Sequence, residues 1–336
     1  MADEADEAGG PGGPGGPGGP DRRGRRPARA GCAGVLLAAV SAVVGCRTAD
    51  VDGVTPVPQV LAFLPWLLAP TALALALSLL ARWWTGLVWG VAVLGLLAWF
   101  IEPYGVTDDP GGRPVAGLRV LTANVEFGRA TGSLLDAVRR DRPDLVFVTE
   151  CEEGCRTVLA REAGADYPYR QGVPGTSSAG SLILSRHPLT PAATLPGSMG
   201  MPGAVADVDG HAVRLQLVHP EPPLPRQVSL WRRELGRVRD FAAGQRGPLV
   251  LAGDFNASQD HAAFRHILDT GLRDAARLVG KDRAPSWPAR TTPAFGAQID
   301  HVLVSADFSA RTARFLTLTG TDHRALLVDI TLHQRG

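Results

Sequence analysis

The apolar and polar positions divide the chain into two parts with different patterns. Three apolar segments without a charged residue lie in the first third of the 336 residues, at 31–46, 59–81 and 85–101. Such segments leave no polar face for water, and the second reaches the roughly 20 residues that a membrane-spanning helix needs. From about Leu118 onward, short apolar runs alternate with turns and with segments of helical spacing. The pattern predicts three transmembrane helices followed by a globular domain at 118–334.

Residues 1–30 precede the first apolar segment and have no core-forming pattern. The repeat GGPGGPGGPGGP and the basic run RRGRRPAR predict a disordered cytoplasmic tail, because neither can bury apolar surface. By the positive-inside rule, these arginines and Arg82, which separates the second and third spans, stay in the cytoplasm. Three crossings and a linker at 102–117 then place the globular domain outside. The expected location is therefore the cell membrane, with a multi-pass anchor and an extracytoplasmic domain.

The four cysteines leave two questions open. The sequence VVGC, which ends at Cys46, resembles a bacterial lipoprotein cleavage site, although a lead-in of about 30 residues is long for a signal peptide. Cleavage there would leave two crossings and the same placement of the domain. Cys151 and Cys155 are four residues apart, so an oxidising exterior permits a disulfide, and two free thiols on one helical turn are the alternative.

Short apolar runs in the globular domain predict its strands and helices. Spacing of apolar residues predicts helices at GSLLDAVRRDR, at SLWRRELGRVRDFAAG and around HAAFRHILDTG. Many strands with few helices favour an α/β arrangement of packed sheets with helices outside. The predicted strands are LRVLTAN, DLVFVTE, GSLILSR, AVADVDG, AVRLQLVH, PLVLAGD, DHVLVS, ARFLTLT and ALLVDITL.

Polar side chains stand where several of these strands begin or end. Any one of them is compatible with a turn or a cap, but six separate strand termini carrying carboxylate, amide or imidazole groups indicate a common site. If one edge of the sandwich gathers them, it holds oxygen ligands for a hard cation together with two imidazoles. These residues are Asn124, Glu126, Glu150, His219, Asp254, Asn256, Asp300, Asp322 and His323.

The motifs TANVE, DLVFVTE, SLILSRHPL, LAGDFNAS, IDHVLVS and TDHRALLV give the chain a resemblance to the endonuclease/exonuclease/phosphatase superfamily. They occur in that family's order and cover about 118–332. The resemblance implies the deoxyribonuclease-I-like fold, a four-layer α/β/β/α sandwich. It also implies cleavage of phosphoester bonds with Mg²⁺, or with Mn²⁺ in its place.

The same resemblance implies a role for each residue at a matching position. Glu150 is then the principal metal ligand, with Asn124, Glu126 and Asp322 beside it. Asp254 activates the attacking water, and Asn256 holds a phosphate oxygen. His323 contacts the phosphoryl group or transfers a proton, with its ring oriented by Asp300, and His219 faces the phosphate from the opposite side. A carboxylate bonded to one imidazole nitrogen fixes the tautomer and leaves the other nitrogen for the substrate.

Charge and anchoring bear on which phosphoester is cleaved. The formal net charge is +1, and from Leu118 onward 26 basic residues face 23 acidic ones, which is mild for a protein that tracks a polyanion. No stable nucleic-acid complex is expected. An anchored site meets membrane lipids at high effective concentration. The segment HPEPPLP, followed by a helix with Trp231, is similar to VanJ-type teicoplanin-resistance proteins, which implies a lipid-linked phosphate or pyrophosphate such as undecaprenyl pyrophosphate.

Two other functions remain open from the sequence. A membrane-tethered extracellular nuclease would use the same chemistry on another substrate, with binding that weakens steeply as salt rises. A non-catalytic envelope module would keep the fold for binding alone, although such a module has no need of a proton-transfer pair.

Overall fold

The computed structural model describes residues 22–102 and 111–334. Most of the predicted tail, and residues 103–110 of the predicted linker, lie outside these ranges. Four helices and one 3₁₀ turn precede the sandwich and are here called the helical module. They are α1 (Arg22–Thr48), α2 (Val57–Leu61), the 3₁₀ turn Leu64–Leu67, α3 (Leu68–Ala81) and α4 (Trp84–Ile101).

Three stretches of the helical module are long and apolar enough to cross a membrane: Arg25–Thr48, Leu64–Ala81 and Trp84–Ile101. The starts of the first two spans differ most from the sequence-based boundaries. Helix α1 begins at Arg22, so the part of the basic run that was assigned to a disordered tail is helical, in keeping with the high helix propensity of arginine and alanine. The second span begins at Leu64, because Pro65 interrupts the helix and separates α2 from α3.

Helices α1, α3 and α4 pack around small residues. Gly86 and Gly90 are buried on α4, and a side chain at either position would collide with Trp83 or Leu75 respectively. Gly90 therefore permits close approach of α3, and Gly86 leaves room for the ring of Trp83, which precedes α4.

Two six-stranded mixed sheets form the sandwich. The first has the order β11-β12-β1-β2-β4-β3 and the second β5-β6-β7-β8-β10-β9. The strands of the first sheet are β1 (Arg113–Asn124), β2 (Leu145–Thr149), β3 (Tyr169–Val173), β4 (Ser181–Ser185), β11 (Phe308–Thr317) and β12 (Arg324–Gln334). Those of the second are β5 (Leu189–Leu195), β6 (Met201–Val208), β7 (His211–Val218), β8 (Leu249–Asp254), β9 (Arg273–Asp274) and β10 (Asp300–Val304). Strand β1 therefore begins five residues before Leu118.

Three apolar cores give the sandwich four layers. Side chains such as Phe147 and Leu215 fill the space between the sheets, whereas Leu134 and Leu159 lie between the first sheet and its helices. Trp231 belongs to the core between the second sheet and its helices. The helices are α5 (Thr131–Asp141), α6 (Glu153–Glu162), α7 (Val228–Gly244), α8 (Ala262–Leu268) and the short α9 (Ala275–Leu278). The predicted four-layer α/β/β/α class is confirmed.

The helical module is joined to the sandwich by buried polar contacts. Asp52, which follows α1, pairs with Arg232 at 3.0 Å and accepts the backbone N–H of Ala263 at 2.7 Å. The Nε2 atom of His261 lies 2.7 Å from the carbonyl oxygen of Pro58. These contacts fix the module against the α7–α8 side of the sandwich, since Asp52 and His261 each find a polar partner across the junction.

Candidate active site

Strand pairing brings the predicted residues to one edge of the sandwich. β1 and β2 are parallel, so Asn124 and Glu150 leave the first sheet at the same edge. β7 and β8 are also parallel and bring His219 and Asp254 to the corresponding edge of the second sheet. The facing sheets thus place four polar side chains at adjacent strand ends.

Two antiparallel strands enter the sandwich at this same edge. β10 runs against β8 with Asp300 opposite Asp254. β12 runs against β1, so His323, which directly precedes β12, lies beside the carboxyl end of β1. A strand that starts where its antiparallel neighbour stops therefore adds Asp300 and His323 to the site.

Asn124 bridges two carboxylates at the centre of the site. Its Nδ2 donates to Glu150 Oε1 at 3.0 Å and to Asp254 Oδ2 at 3.1 Å, while its Oδ1 accepts the backbone N–H of Glu126 at 2.9 Å. Asp254 Oδ1 accepts the backbone N–H of Asn256 at 2.8 Å. Asn124 thus presents its nitrogen to the carboxylates and holds the two sheets in register; that it ligates a metal stays a prediction.

His323 and Asp300 form a buried pair. His323 Nδ1 lies 2.8 Å from Asp300 Oδ2, and its Nε2 lies 3.7 Å from Asp254 Oδ2. Burial lowers the pKa of His323, but the negative charges of Asp300 and Asp254 outweigh it and raise the pKa to about 10. The ring is therefore an imidazolium at neutral pH, with Nδ1 oriented by Asp300 and Nε2 facing the carboxylate of Asp254.

His219 has the opposite electrostatic character. It is almost fully buried, and burial lowers its pKa to about 4, so the ring is neutral at pH 7. Its Nε2 lies 3.9 Å from both Glu150 Oε1 and Asp254 Oδ2, beyond hydrogen-bond distance. Its Nδ1 is buried without a hydrogen-bond partner among the described residues. A neutral imidazole beside two carboxylates can donate a hydrogen bond to a phosphate oxygen without neutralising them.

Three of these residues have backbone conformations that non-glycine residues adopt rarely. The φ angles of Glu126, Glu150 and Asn256 are 44°, 57° and 49°. Such angles persist where the surroundings impose them, and they are concentrated at functional sites. Gly253 has φ 154°, and a side chain there would overlap the carbonyl oxygen of Val218. The glycine therefore permits the close strand approach that places Asp254.

The remaining predicted residues lie around the centre. Asn256 donates from Nδ2 to the carbonyl oxygen of Pro220 at 3.0 Å, which ties two of the loops together. Glu126 lies on the cleft wall with its carboxylate paired to Arg129. Asp322 Oδ1 lies 3.8 Å from His323 Nε2. All nine predicted side chains are therefore at or next to this edge, while their individual roles stay predictions.

Trp287 is a site residue that the sequence did not reveal. Its Nε1 donates to Asp322 Oδ2 at 2.9 Å, and the backbone N–H of Ala289 donates to the Asp322 carbonyl oxygen at 2.6 Å. The loop around Trp287 therefore holds Asp322 from two sides. It contains neither a carboxylate nor an imidazole at a strand end, the signal that identified the other residues.

The donor set fits a hard divalent cation. Burial raises the pKa values of both Glu150 and Asp254, which share one neutral amide donor, so a cation would stabilise their ionised forms. Carboxylate and carbonyl oxygens are the ligands that Mg²⁺ and Mn²⁺ prefer. Asp254, Asp300 and His323 also offer three ligand atoms within 4.8 Å of one another. We favour the Glu150 side, because the imidazolium of His323 has no lone pair to offer a cation.

An open cleft of about 280 Å³ lies over these groups. Its lining combines carboxylates and imidazoles with a few apolar side chains, which suits a charged group attached to an apolar one. The lining residues are Glu126, Phe127, Glu150, Ser178, Met199, His219, Glu221, Pro222, Asp254, Asn256, Asp322 and His323.

Two segments contact the helical module: one lines the cleft, and the other holds Asp322, which lines it. In the first, at 220–225, Gln59 Nε2 donates to the carbonyl oxygen of Pro223, and Thr55 Oγ1 donates to that of Pro225 at 3.2 Å. In the second, the loop at 286–297, the ring of Trp287 lies 6.2 Å from that of Phe63. Both segments therefore contact the part of the helical module that directly precedes the second candidate span.

Cys151 and Cys155 form a disulfide, which decides between the two alternatives left open by the sequence. Cys151 directly follows Glu150, and its backbone N–H donates to the carbonyl oxygen of Gly180 at 2.9 Å. The disulfide thus ties the turn that carries Glu150 to the first turn of α6.

The amino-acid sequence is similar to that of known proteins. The sequence profile of the Endonuclease/Exonuclease/phosphatase family matches residues 121–323. A UPF0294 protein from Erwinia tasmaniensis is 26% identical over 183 residues, which cover 54% of this chain and 58% of that protein. The chain thus spans less than two thirds of the length of this curated relative.

Solved structures share the fold of the sandwich. An endonuclease/exonuclease/phosphatase family protein from Bacteroides thetaiotaomicron is 15% identical with a TM-score of 0.52, over 67% of this chain and 100% of that one. D. rerio TDP2 complexed with a single-strand DNA product is also 15% identical with a TM-score of 0.52, over 64% of this chain and 99% of that one. At such identities the likeness concerns the fold alone.

Proposed function

The chain belongs to the endonuclease/exonuclease/phosphatase family, whose members hydrolyse phosphoester bonds, and from this premise we propose that it cleaves a lipid-linked phosphate or pyrophosphate at the outer face of the cytoplasmic membrane. Membership, predicted from the motifs, is confirmed. The observation that carries the proposal is the position of the site. The cleft is lined by Glu150, Asp254, Pro222 and Asp322. The segment that contains Pro222 and the loop that holds Asp322 both contact the helical module.

Each side chain of the site has a separate role in the proposed hydrolysis. Asp254 accepts a proton from the attacking water as the new P–O bond forms, and Asn124 and the Asn256 backbone N–H fix its carboxylate. The imidazolium of His323 stabilises negative charge on the phosphoryl oxygens as the bond to the leaving group breaks. His219, neutral and buried, donates a hydrogen bond to a phosphate oxygen from the other side.

Glu150 would hold the divalent cation, with Asp322 and Glu126 nearby. When bound, such an ion neutralises the phosphate and lowers the barrier to attack. Mg²⁺ keeps several of its waters and binds through one or two carboxylates together with substrate phosphate, which matches a site with few protein ligands. Trp287 and Phe127 would position these carboxylates without binding the cation themselves. Trp287 donates to Asp322, and the backbone N–H of Phe127 donates to Glu150 Oε2 at 3.2 Å.

Two further features support a lipid substrate outside the cytoplasm. The Cys151–Cys155 disulfide suits an oxidising compartment. The three candidate spans would keep the cleft at the membrane surface, where an amphiphilic substrate reaches high effective concentration. The similarity to VanJ-type proteins and a role in glycopeptide resistance remain predictions.

A cleavage panel on the full-length protein tests the proposal. The protein would be reconstituted in lipid nanodiscs with Mg²⁺ or Mn²⁺ and offered undecaprenyl pyrophosphate, sphingomyelin, phosphoinositides and duplex DNA. Released phosphate or cleaved product would be measured, with Asp254→Asn and a chelator as controls. We expect metal-dependent cleavage of the isoprenoid pyrophosphate that Asp254→Asn abolishes. Preferred, salt-sensitive cleavage of DNA would establish the nuclease alternative, and inactivity on every substrate would favour the binding module.

A further inference from the structure

An aromatic contact places part of the sandwich at the level of the second candidate span. Trp66 lies in the first turn of that span, and its Nε1 donates to the carbonyl oxygen of Gly296 at 3.0 Å. Its ring lies 4.8 Å from the ring of Phe295 in the sandwich. Tryptophan at the end of a span is typical of the membrane–water interface. If the second candidate span crosses a bilayer, Phe295 lies beside the end of that span, where the hydrocarbon begins.

A short series of contacts leads from this position to the site. Phe295 stacks on Phe63 at 5.0 Å, Phe63 lies 6.2 Å from Trp287, and Trp287 donates to Asp322 at 2.9 Å. One aromatic ring therefore separates Phe295 from the residue that positions Asp322. A single amphiphilic molecule can contact Phe295 with its chain and the cleft with its phosphate.

A second apolar side chain borders the same turn of the helical module. Leu224 stands between Pro223, which accepts from Gln59, and Pro225, which accepts from Thr55. Gln59 and Phe63 are four residues apart in a run with helical hydrogen bonds, so they share one face. Leu224 and Phe295 consequently flank one helical turn, although they belong to different segments beside the cleft.

Trp66, Leu224 and Phe295 are large apolar side chains that are partly exposed. The exposed fractions are 36% for Trp66, 41% for Phe295 and 52% for Leu224. Large apolar side chains clustered next to a polar cleft mark a binding surface more often than scattered ones do. The surface continues into α3, where Leu68 and Leu73 are exposed, so its natural occupant is a chain that extends from the bilayer.

We propose that Trp66, Leu224 and Phe295 form a subsite for the hydrocarbon chain of the substrate. This inference rests on the proposed function and adds to it that the helical module contributes directly to substrate selection. Contact with the chain is favourable in proportion to the apolar area removed from water. The enzyme should therefore prefer long-chain prenyl pyrophosphates to short ones that carry the same reacting group.

The test compares chain lengths on matched variants. The full-length protein in nanodiscs would be assayed for kcat/KM with isopentenyl, farnesyl and undecaprenyl pyrophosphate. Phe295→Ser and Leu224→Ser remove apolar contact, and Tyr169→Ser on the edge strand β3 is the control for an exposed aromatic elsewhere. Equilibrium binding of farnesyl and isopentenyl pyrophosphate to Asp254→Asn, with and without Phe295→Ser, measures chain contact without turnover.

We expect kcat/KM to rise with chain length in the wild type. Phe295→Ser should reduce the ratio of kcat/KM for undecaprenyl to isopentenyl pyrophosphate about tenfold, which corresponds to roughly two methylene groups of lost contact. The same variant should retain its activity on isopentenyl pyrophosphate. Tyr169→Ser should retain activity on both compounds. An unchanged ratio with intact cleavage would overturn the subsite and leave the proposed function standing. Absence of prenyl pyrophosphate cleavage would overturn the proposed function. The subsite would be overturned as well if Asp254→Asn bound farnesyl and isopentenyl pyrophosphate with equal affinity, both with and without Phe295→Ser.

Discussion

At the scale of single residues, Asp254 is the group on which the site converges. It accepts hydrogen bonds from the Asn124 side chain and the Asn256 backbone, and it lies within 4 Å of the Nε2 atoms of His219 and His323. A carboxylate contacted from both sheets is well placed to take a proton from water. Burial raises its pKa, which makes it a stronger base than an exposed aspartate.

Asp254→Asn should therefore remove the base and keep the shape. We expect kcat to fall by about 10³, in the range that general-base catalysis contributes, with little change in the thermal midpoint. Phosphoester hydrolysis and thermal unfolding measure the two quantities. Asp136→Asn, on the exposed face of α5, should leave both unchanged. Activity within tenfold of the wild type would assign the base to another residue.

Trp287 provides a second prediction at this scale. Trp287→Phe keeps a ring beside Phe63 and removes the N–H that donates to Asp322. Loss of a hydrogen bond that orients a metal ligand typically lowers metal affinity 10- to 100-fold, so we expect Mn²⁺ binding, followed by electron paramagnetic resonance, to weaken by about that factor. Trp89→Phe, which loses a hydrogen bond to Ser41 within the helical module, is the matched control. Equal Mn²⁺ affinities in the two variants would contradict a positioning role.

At the scale of secondary-structure elements, the contact between β7 and β8 sets the position of Asp254, the proposed base. Gly253 pairs with Val218, and no side chain fits between them. Gly253→Ala should therefore push the strands apart, lower the thermal midpoint and reduce kcat more than a surface substitution does. Gly117→Ala, on β1 where nothing lies within 4 Å of an added side chain, is the control. Wild-type stability and activity in Gly253→Ala would show that β8 can shift without disturbing the site.

The disulfide at the start of α6 gives another prediction for an element. It closes a loop of five residues, for which the chain-entropy account gives roughly 2 kcal/mol of stabilisation. Cys151→Ala/Cys155→Ala should therefore lower the urea midpoint and, because Cys151 adjoins Glu150, weaken metal binding. Cys32→Ser/Cys46→Ser removes the free thiols and serves as the control. In this control variant, reductant can act only on the Cys151–Cys155 disulfide. If reductant then changed neither the urea midpoint nor metal binding, the disulfide would not support the site.

The elements that the sequence revealed differ physically from those it did not. Central strands such as β8 are buried on both faces and appear as continuous apolar runs. Strand β5 is an edge strand that contains Pro191 and exposes most of its side chains, so its sequence has no apolar pattern. Helix α6 was missed because Cys155 and Leu159 are its only fully buried positions. Pattern reading thus detects burial, and it fails where an element buries little.

The residues of the site also differ in how visible they are in the sequence. Asp254 and Glu150 could be predicted because short polar residues directly after apolar strands are visible in the sequence. Trp287 could not, since its role depends on a loop that folds back over Asp322 from 35 residues away. The contacts of Phe63 and Trp66 with Phe295 depend on the packing of two parts of the chain, which no local pattern encodes.

At the scale of the whole molecule, one buried ionic cluster joins the helical module to the sandwich. Asp260 is 1% exposed and accepts two hydrogen bonds from Arg283, one of them at 2.9 Å. Arg47 of α1 lies 3.6 Å from it, and Arg283 also donates to the carbonyl oxygen of Phe100 at 2.7 Å. Asp260 therefore pairs with two arginines. Arg47 lies in the last turn of α1 and Arg283 contacts the last turn of α4, so the cluster ties the ends of both helices to the sandwich.

Asp260→Ala should loosen this junction without touching the catalytic groups. It leaves Arg47 and Arg283 largely buried without their carboxylate, and breaking a buried pair in this way costs roughly 3 to 5 kcal/mol. We expect a lower thermal midpoint, and a loss of activity that is severe on a membrane-embedded substrate but small on a water-soluble phosphodiester. Asp269→Ala, an exposed aspartate beyond α8, should change neither value. Equal losses on both substrates would mean that the junction supports the fold of the sandwich itself, because displacement of the cleft from the membrane affects only substrates that reside there.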